Sequence, residues 1–253
     1  MILKAENLSN IDSVNHGFCD RHGGRSLGDF SSLNFSWTCG DDFGKVLKNR
    51  GIVARRFGAA LSETVVLHQC HGDVVHIVNS GNLEEYKSSS PELSIQNEGD
   101  ALITNLPGIL VGVQTADCAP ILLCDQKVNF VSAIHAGWRG TVGKIIENTV
   151  STLTKLGCKN LYAAIGPCIQ KQSFEVEDDI ISLVDEKYIS EVSGKKYFDM
   201  SLMIYDKLLA MGVKNIEQIG IDTVSDENFF SHRRQNGRCG TQFSGILLKR
   251  RFL

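Results

Sequence analysis

Two apolar runs that each break onto a reactive side chain constrain this chain most. Val111-Gly112-Val113-Gln114-Thr115-Ala116 leads into Asp117-Cys118-Ala119-Pro120, and Ala133-Ile134 leads into His135-Ala136-Gly137-Trp138-Arg139-Gly140. Apolar runs of this length, bounded by Gly, Pro or Asp, read as buried strands. A Cys and a His at their ends are held where a sheet opens to solvent, and rigid elements make precise sites. With His71 of His68-Gln69-Cys70-His71-Gly72-Asp73 they form a candidate Cys/His/His set.

Length and composition narrow the setting. At 253 residues the chain can bury a sizeable core, and 42% hydrophobic with 22% charged residues is ordinary for a globular protein. A net charge of -3 and a pI near 6.2 point away from a nucleic-acid partner. Lys249-Arg250-Arg251 reads as a solvated tail. No apolar run approaches the ~20 residues of a membrane span, so no membrane partner is expected. The opening Met1-Ile2-Leu3-Lys4 lacks the apolar core of a signal peptide. The eight cysteines are irregularly spaced without a CxxC pair. They read as reduced thiols, and the expected compartment is the cytoplasm.

The pattern predicts one mixed α and β domain over residues 1–253. A helix is expected from Asp41 to Ala60, capped by Asp41 or Asp42. Val65-Val66-Leu67-His68 and Val74-Val75-His76-Ile77-Val78 are expected as a strand pair around the His71-Gly72-Asp73 turn. Residues 79–98 read as a polar surface excursion. Buried strands follow at 101–104, 108–114, 120–124, 128–135 and 161–165. Val142, Ile145, Ile146, Val150 and Leu153 predict one helix over 141–156, ended by Gly157. Further helices are expected near 177–187 and 199–211, with strands near 216–221 and at 244–248.

Zinc takes Cys thiolate and His nitrogen, and three protein ligands leave its fourth position for water or substrate. Its bound water has a pKa near 7, which gives a nucleophile at neutral pH. The bland alternative is a buried Cys acting as a small hydrophobe beside two hydrogen-bonded histidines. Gly137-Trp138-Arg139-Gly140-Thr141 reads as a strand-to-helix turn whose amides, with Arg139, suit an anion such as phosphate. The segment Gly137 to Lys144 looks superficially like a P-loop, but five residues precede Gly143-Lys144 and Ile145 replaces Ser or Thr. Asp117 is a candidate ligand-orienting group or turn cap. Glu175, set among Phe174 and Val176, is a candidate general acid or base, or an exposed strand-end carboxylate. Arg233-Arg234 could clamp an anion or form surface pairs. The zinc nucleobase-deaminase signature is absent.

These segments together resemble one family, the multicopper-polyphenol-oxidase-like laccase-domain proteins of the YfiH/YlmD type. The matching blocks run from His16-Gly17-Phe18, Arg21-His22-Gly23-Gly24 and Ser32-Leu33-Asn34 through Asn49-Arg50, Gln69-Cys70-His71-Gly72 and Gly99-Asp100-Ala101. Thr115-Ala116-Asp117-Cys118 and His135-Ala136-Gly137-Trp138-Arg139-Gly140 follow, then Ile165-Gly166-Pro167, Phe174-Glu175-Val176 and Phe229-Phe230-Ser231-His232-Arg233-Arg234. The resemblance implies a four-layer α/β/β/α sandwich with one zinc, or alternatively copper, on His71, Cys118 and His135. It also implies phosphorolysis of purine nucleosides (adenosine, inosine, guanosine, methylthioadenosine), with adenosine deaminase activity. On that reading Arg21, Arg50, Arg139 and Arg234 are candidates for holding phosphate or substrate, and a monomer or weak homodimer is expected. A role in peptidoglycan editing is also attributed to the family. The fold is similar to that of a cysteine-dependent toxin deamidase, so a Cys118–His135 hydrolase is the alternative chemistry. Multicopper oxidation is disfavoured, because the chain has only seven histidines and no H-x-H pair. Three places depart from the family pattern: Asp222, where Cys is common, Cys168 to Gln172, and Gln235 to Cys239.

Overall fold

The computed structural model describes residues 1–86, 97–127 and 129–250. Two sheets form its centre. The first has the order β1 (Ile2–Leu3), β2 (Val14–Cys19), β14 (Gln242–Leu248), β6 (Leu110–Thr115) and β3 (Thr64–Val65). The second runs β13 (Asn215–Gln218), β9 (Leu161–Ile165), β7 (Ala119–Asp125), β8 (Val131–Ala136), β5 (Ala101–Thr104) and β4 (Val75–Val78). A small third sheet holds β10 (Glu175–Val176), β12 (Lys195–Phe198) and β11 (Ile189–Val192).

Side-chain alternation explains the layering. Along β7, Ile121 and Leu123 face one cluster while Leu122 and Cys124 face another. A strand buried on both faces reads as an unbroken apolar run, as the sequence showed. Leu122, Val131, Ala133 and Leu102 pack against Val111, Val113 and Ile246 between the two sheets. Beyond the second sheet, Ile121, Leu123 and Ile134 pack under helices Ile145–Lys155 and Met200–Ala210, through Ile146, Val150, Leu153, Ile204 and Leu208. Beyond the first, Leu110, Phe243 and Leu247 pack against Val53 and Phe57 of helix Phe43–Arg56 and its end. Each fully buried Leu or Ile contributes about 1.5–3 kcal/mol. The result is the four-layer α/β/β/α sandwich.

Several local expectations are corrected. Thr64–Val65 and Val75–Val78 do not pair with each other, because β3 lies parallel to β6 and β4 parallel to β5 in the other sheet. The chain changes sheets between them. The helix expected over 141–156 is two, Trp138–Val142 and Ile145–Lys155. At the break, the Gly143 carbonyl accepts from Lys207 Nζ at 2.8 Å, while that ammonium also pairs with Glu147 Oε1 at 2.7 Å. Gly157, at φ 88°, ends the second helix as expected. The helix expected near 177–187 is a single turn, Asp178–Ile181, followed by a short Asp185-capped turn. Asp42 caps helix Phe43–Arg56 by accepting from Lys45 N at 2.8 Å. Most of the expected 79–98 excursion, residues 87–96, lies outside the described residues, as do Val128 and Arg251.

Candidate metal centre and its cavity

His71 and Cys118 both sit where the chain passes from the first sheet to the second. His71 lies between β3 and β4, and Cys118 between β6 and β7. His135 is in β8, directly across from Pro120 of β7. Both crossings are tight. His71 at φ 59° and Asp117 at φ 87° occupy the left-handed region that non-glycine residues rarely adopt. Such strain persists only where surrounding contacts over-determine it. The Asp117 carboxylate accepts from Thr223 Oγ1 at 2.7 Å and from Arg233 N at 2.6 Å. The His71 turn wraps the buried Asp100 carboxylate, which accepts from His71 N at 3.0 Å and Gly72 N at 2.7 Å.

The ligand atoms of His71, Cys118 and His135 all lie within 4.8 Å of one another. His71 Nδ1 is 4.0 Å from Cys118 Sγ. A zinc ion at its usual bond lengths to S and N separates two such ligands by about 3.6 Å when tetrahedral and about 4.4 Å at most. The 4.0 Å pair of His71 and Cys118 falls within that range, the outer separation of up to 4.8 Å has to close slightly around an ion, and the donor set is one that zinc takes. His135 Nδ1 is bound to Asp100 Oδ1 at 2.7 Å, which leaves its Nε2 for the ion. Gly137 makes room, since a Cβ there would stand 2.7 Å from His71 Nδ1 and 3.0 Å from Cys118 Sγ.

Electrostatics single out the same thiol. Burial alone would raise the Cys118 pKa, but the neighbouring His135 charge and hydrogen bonds from His135 and His71 bring it down to about 6. Burial would lower His135, yet the Cys118 thiolate and Asp100 raise it to about 9. Burial instead pushes the Cys19, Cys124, Cys168 and Cys239 thiols up to about 12. Low-pKa thiolates are the ones that ligate metals and attack electrophiles.

The trio opens into a cavity of about 650 Å³, also lined by Trp37, Arg50, Asp117, Trp138, Arg139, Phe174 and Arg233. This volume suits a small organic ligand. Arg50 is 3% exposed. Its Nε donates to the Phe35 carbonyl at 2.9 Å, its plane stacks on Phe35 and Trp37, and its Nη2 has no partner among the described residues. Burial pushes its pKa down to about 9. Arg139 stacks on Trp138 with its guanidinium carbon 4.2 Å from the ring centre. Helix Trp138–Val142 behind it is only five residues long, so little macrodipole adds to that guanidinium.

Other sequence candidates fall elsewhere. Arg21 and Arg234 are not among the cavity-lining residues. Arg21 stacks on Phe230 and donates to the Ser31 carbonyl at 2.6 Å. Arg234 donates to the carbonyls of Thr223, Val224, Asp226 and Phe229, tying its own loop together. The neighbouring Arg233 faces the cavity instead, donating to the Glu175 carbonyl at 3.2 Å. Glu175 itself is an exposed strand-end residue whose carboxylate pairs with Lys195 at 2.9 Å. Sequence reasoning gave no role to Trp37 or Asp100. The available signal for Asp100 was an acid placed at the mouth of an apolar strand. Two departures from the family pattern meet here: the Asp222 carboxylate accepts from Gln170 N, Gln172 Nε2 and Ser173 Oγ.

Fold and site together define an α/β/β/α sandwich protein with a Cys/His/His cluster able to hold a metal, set in the wall of a cavity. The chain belongs to the multi-copper polyphenol oxidoreductase laccase family, whose family model matches residues 15–249. It is 34% identical to a Deinococcus radiodurans protein named purine nucleoside phosphorylase, over 99% of this chain and 94% of that one. It is 32% identical to adenosine deaminase RL5 from an unknown prokaryotic organism, over 87% of this chain and 88% of that one. Among solved structures, YlmD from Geobacillus stearothermophilus superposes with a TM-score of 0.88 at 30% identity, covering 97% of this chain and 94% of that chain. YfiH from Bacillus licheniformis gives 0.86 at 28% identity, covering 94% of each. No helix among the described residues is long and apolar enough to cross a membrane.

Proposed function

We propose that this chain is a zinc-dependent purine nucleoside phosphorylase that also deaminates adenosine. The observation carrying this reading is Arg50, a buried cation with an unpaired nitrogen, lining the same cavity as His71, Cys118 and His135. A phosphate is the ligand such a cation lacks. Zinc on the trio would supply a Lewis acid at its open position. Arg50 and Arg139 hold the phosphate, and the apolar lining at Trp138 and Phe174 takes the purine and ribose. In the reaction, a phosphate oxygen bonds to ribose C1′ as the C1′–N9 bond breaks. The purine leaves with the electron pair and takes up a proton. Positioning by the two arginines is the main contribution of the chain, since orientation alone supplies much of such a barrier. Asp117 acts by holding the Cys118 crossing and Arg233, because both its oxygens are engaged. Glu175 and the pair Arg21 and Arg234 stand outside the reacting group.

Purified zinc-loaded protein incubated with adenosine, with and without phosphate, tests this by chromatography of the products. Adenine and ribose-1-phosphate formed only with phosphate support the phosphorylase. Inosine formed without phosphate supports the deaminase. Neither product, from adenosine or from other purine nucleosides, overturns the reading.

A second reading is a Cys–His hydrolase, favoured by the low Cys118 thiol beside a raised His135. Metal content separates the two, since a ligating thiolate is not free to attack.

A further inference from the structure

We propose that Asp100 is the positioning residue of the metal centre, fixing two of its three ligands through one carboxylate. The proposal rests on the metal-binding reading of the trio. Asp100 is 1% exposed, and it precedes β5, whose partner β8 carries His135. Five donors converge on its two oxygens. His135 Nδ1 at 2.7 Å and His71 N at 3.0 Å reach Oδ1. Gly72 N at 2.7 Å, Cys70 N at 3.3 Å and Cys70 Sγ at 3.2 Å reach Oδ2.

Each half of this arrangement does a separate task. Consecutive amides of 70–72 folded around an anion make a nest, and that nest stabilises the left-handed His71 (φ 59°) that turns its imidazole toward Cys118. The bond to His135 fixes the Nδ1–H tautomer, so that Nε2 alone is free to ligate. The backbone adds a tether, with His135 N donating to the Asp100 carbonyl at 2.7 Å. One residue thus sets the direction of a ligand in a sheet crossing and the tautomer of a ligand in a strand 64 positions away in the chain.

Asp100→Asn is the discriminating change. All five groups donate, so an amide NH2 meets a donor whichever way it is turned. Zinc affinity of wild type and variant, measured by chelator competition, should differ about 10- to 100-fold. The Co2+-loaded variant should also change its visible ligand-field spectrum, with folding checked by circular dichroism. Lys195→Ala, at an exposed pair with Glu175 away from the centre, should keep wild-type affinity and spectrum. Should Asp100→Asn fail to fold, nitrogen-15 NMR of zinc-loaded wild type reads the His135 tautomer directly, and an unprotonated Nδ1 overturns the proposal. Equal affinity and an unchanged spectrum in folded Asp100→Asn overturn it too, leaving the metal reading intact. A wild-type protein that binds neither zinc nor cobalt overturns both.

Discussion

Replacing Arg50 by Met separates a phosphate-binding role from a packing role. The wild-type Arg50 is 3% exposed, and among the described residues its guanidinium donates once, to the Phe35 carbonyl, and leaves Nη2 unpaired. Met keeps the length and much of the contact with Phe35 and Trp37 while removing the charge. In the free protein the change loses one hydrogen bond, about 1 kcal/mol, and about 1 kcal/mol of stacking. It also relieves the desolvation of a sparsely paired buried cation, which costs several kcal/mol. The melting temperature of the free variant should therefore stay near or above that of wild type. Binding behaves oppositely. Removing one partner of a buried ion pair costs about 3 kcal/mol, or roughly 100-fold in affinity. Initial rates at saturating nucleoside should show the phosphate KM raised by about that factor, with nucleoside binding changed much less. Phosphate at about 100 times the wild-type Kd should stabilise wild type by about 2.7 kcal/mol and the variant, about 100-fold weaker, by only about 0.4 kcal/mol. An unchanged phosphate KM together with a lower melting temperature would refute the reasoning and make Arg50 a packing residue.

Gly137→Ala, at an ordinary φ of -76°, places a Cβ 2.7 Å from His71 Nδ1. Pushing His71 aside should lower zinc affinity about tenfold or more, as disturbing a group that orients a ligand does, and an unchanged chelator titration would show that His71 does not ligate. Arg234→Met removes a donor to four carbonyls of one loop. Denaturant melts should show a loss of about 2–4 kcal/mol with the phosphate KM unchanged, whereas a raised KM would return this residue to the anion site. His16 is buried and accepts from Ala5 N at 2.9 Å, and burial lowers its pKa from 6.5 to about 4. Between those values the unfolded chain holds the extra proton. Stability is therefore full above pH 6.5 and falls as pH drops toward 4, by up to about 3 kcal/mol. His16→Gln should flatten that part of the pH–stability curve, and an identical curve would count against the buried neutral imidazole.

The layers were legible in the sequence because burial on both faces leaves a continuous apolar run, as at 119–125 and 131–136. The same runs marked Cys118 and His135, since a polar reactive group at the end of such a strand has few other reasons to be there. Strand partners were not legible. Val65 and Val75 flank one turn, yet they belong to different sheets, because pairing is chosen by the apolar faces of distant strands. Nor was the direction of adjacent arginines: Arg233 lines the cavity while Arg234 is spent on loop carbonyls. Nor was the partner of the helix break at Gly143, whose carbonyl accepts from Lys207 in a later helix. Sequence periodicity records which face of an element is apolar, a local property of each segment. Which donors surround one carboxylate, as at Asp100 and Asp222, depends on residues that only the packed layers bring together, and tertiary structure alone decided it.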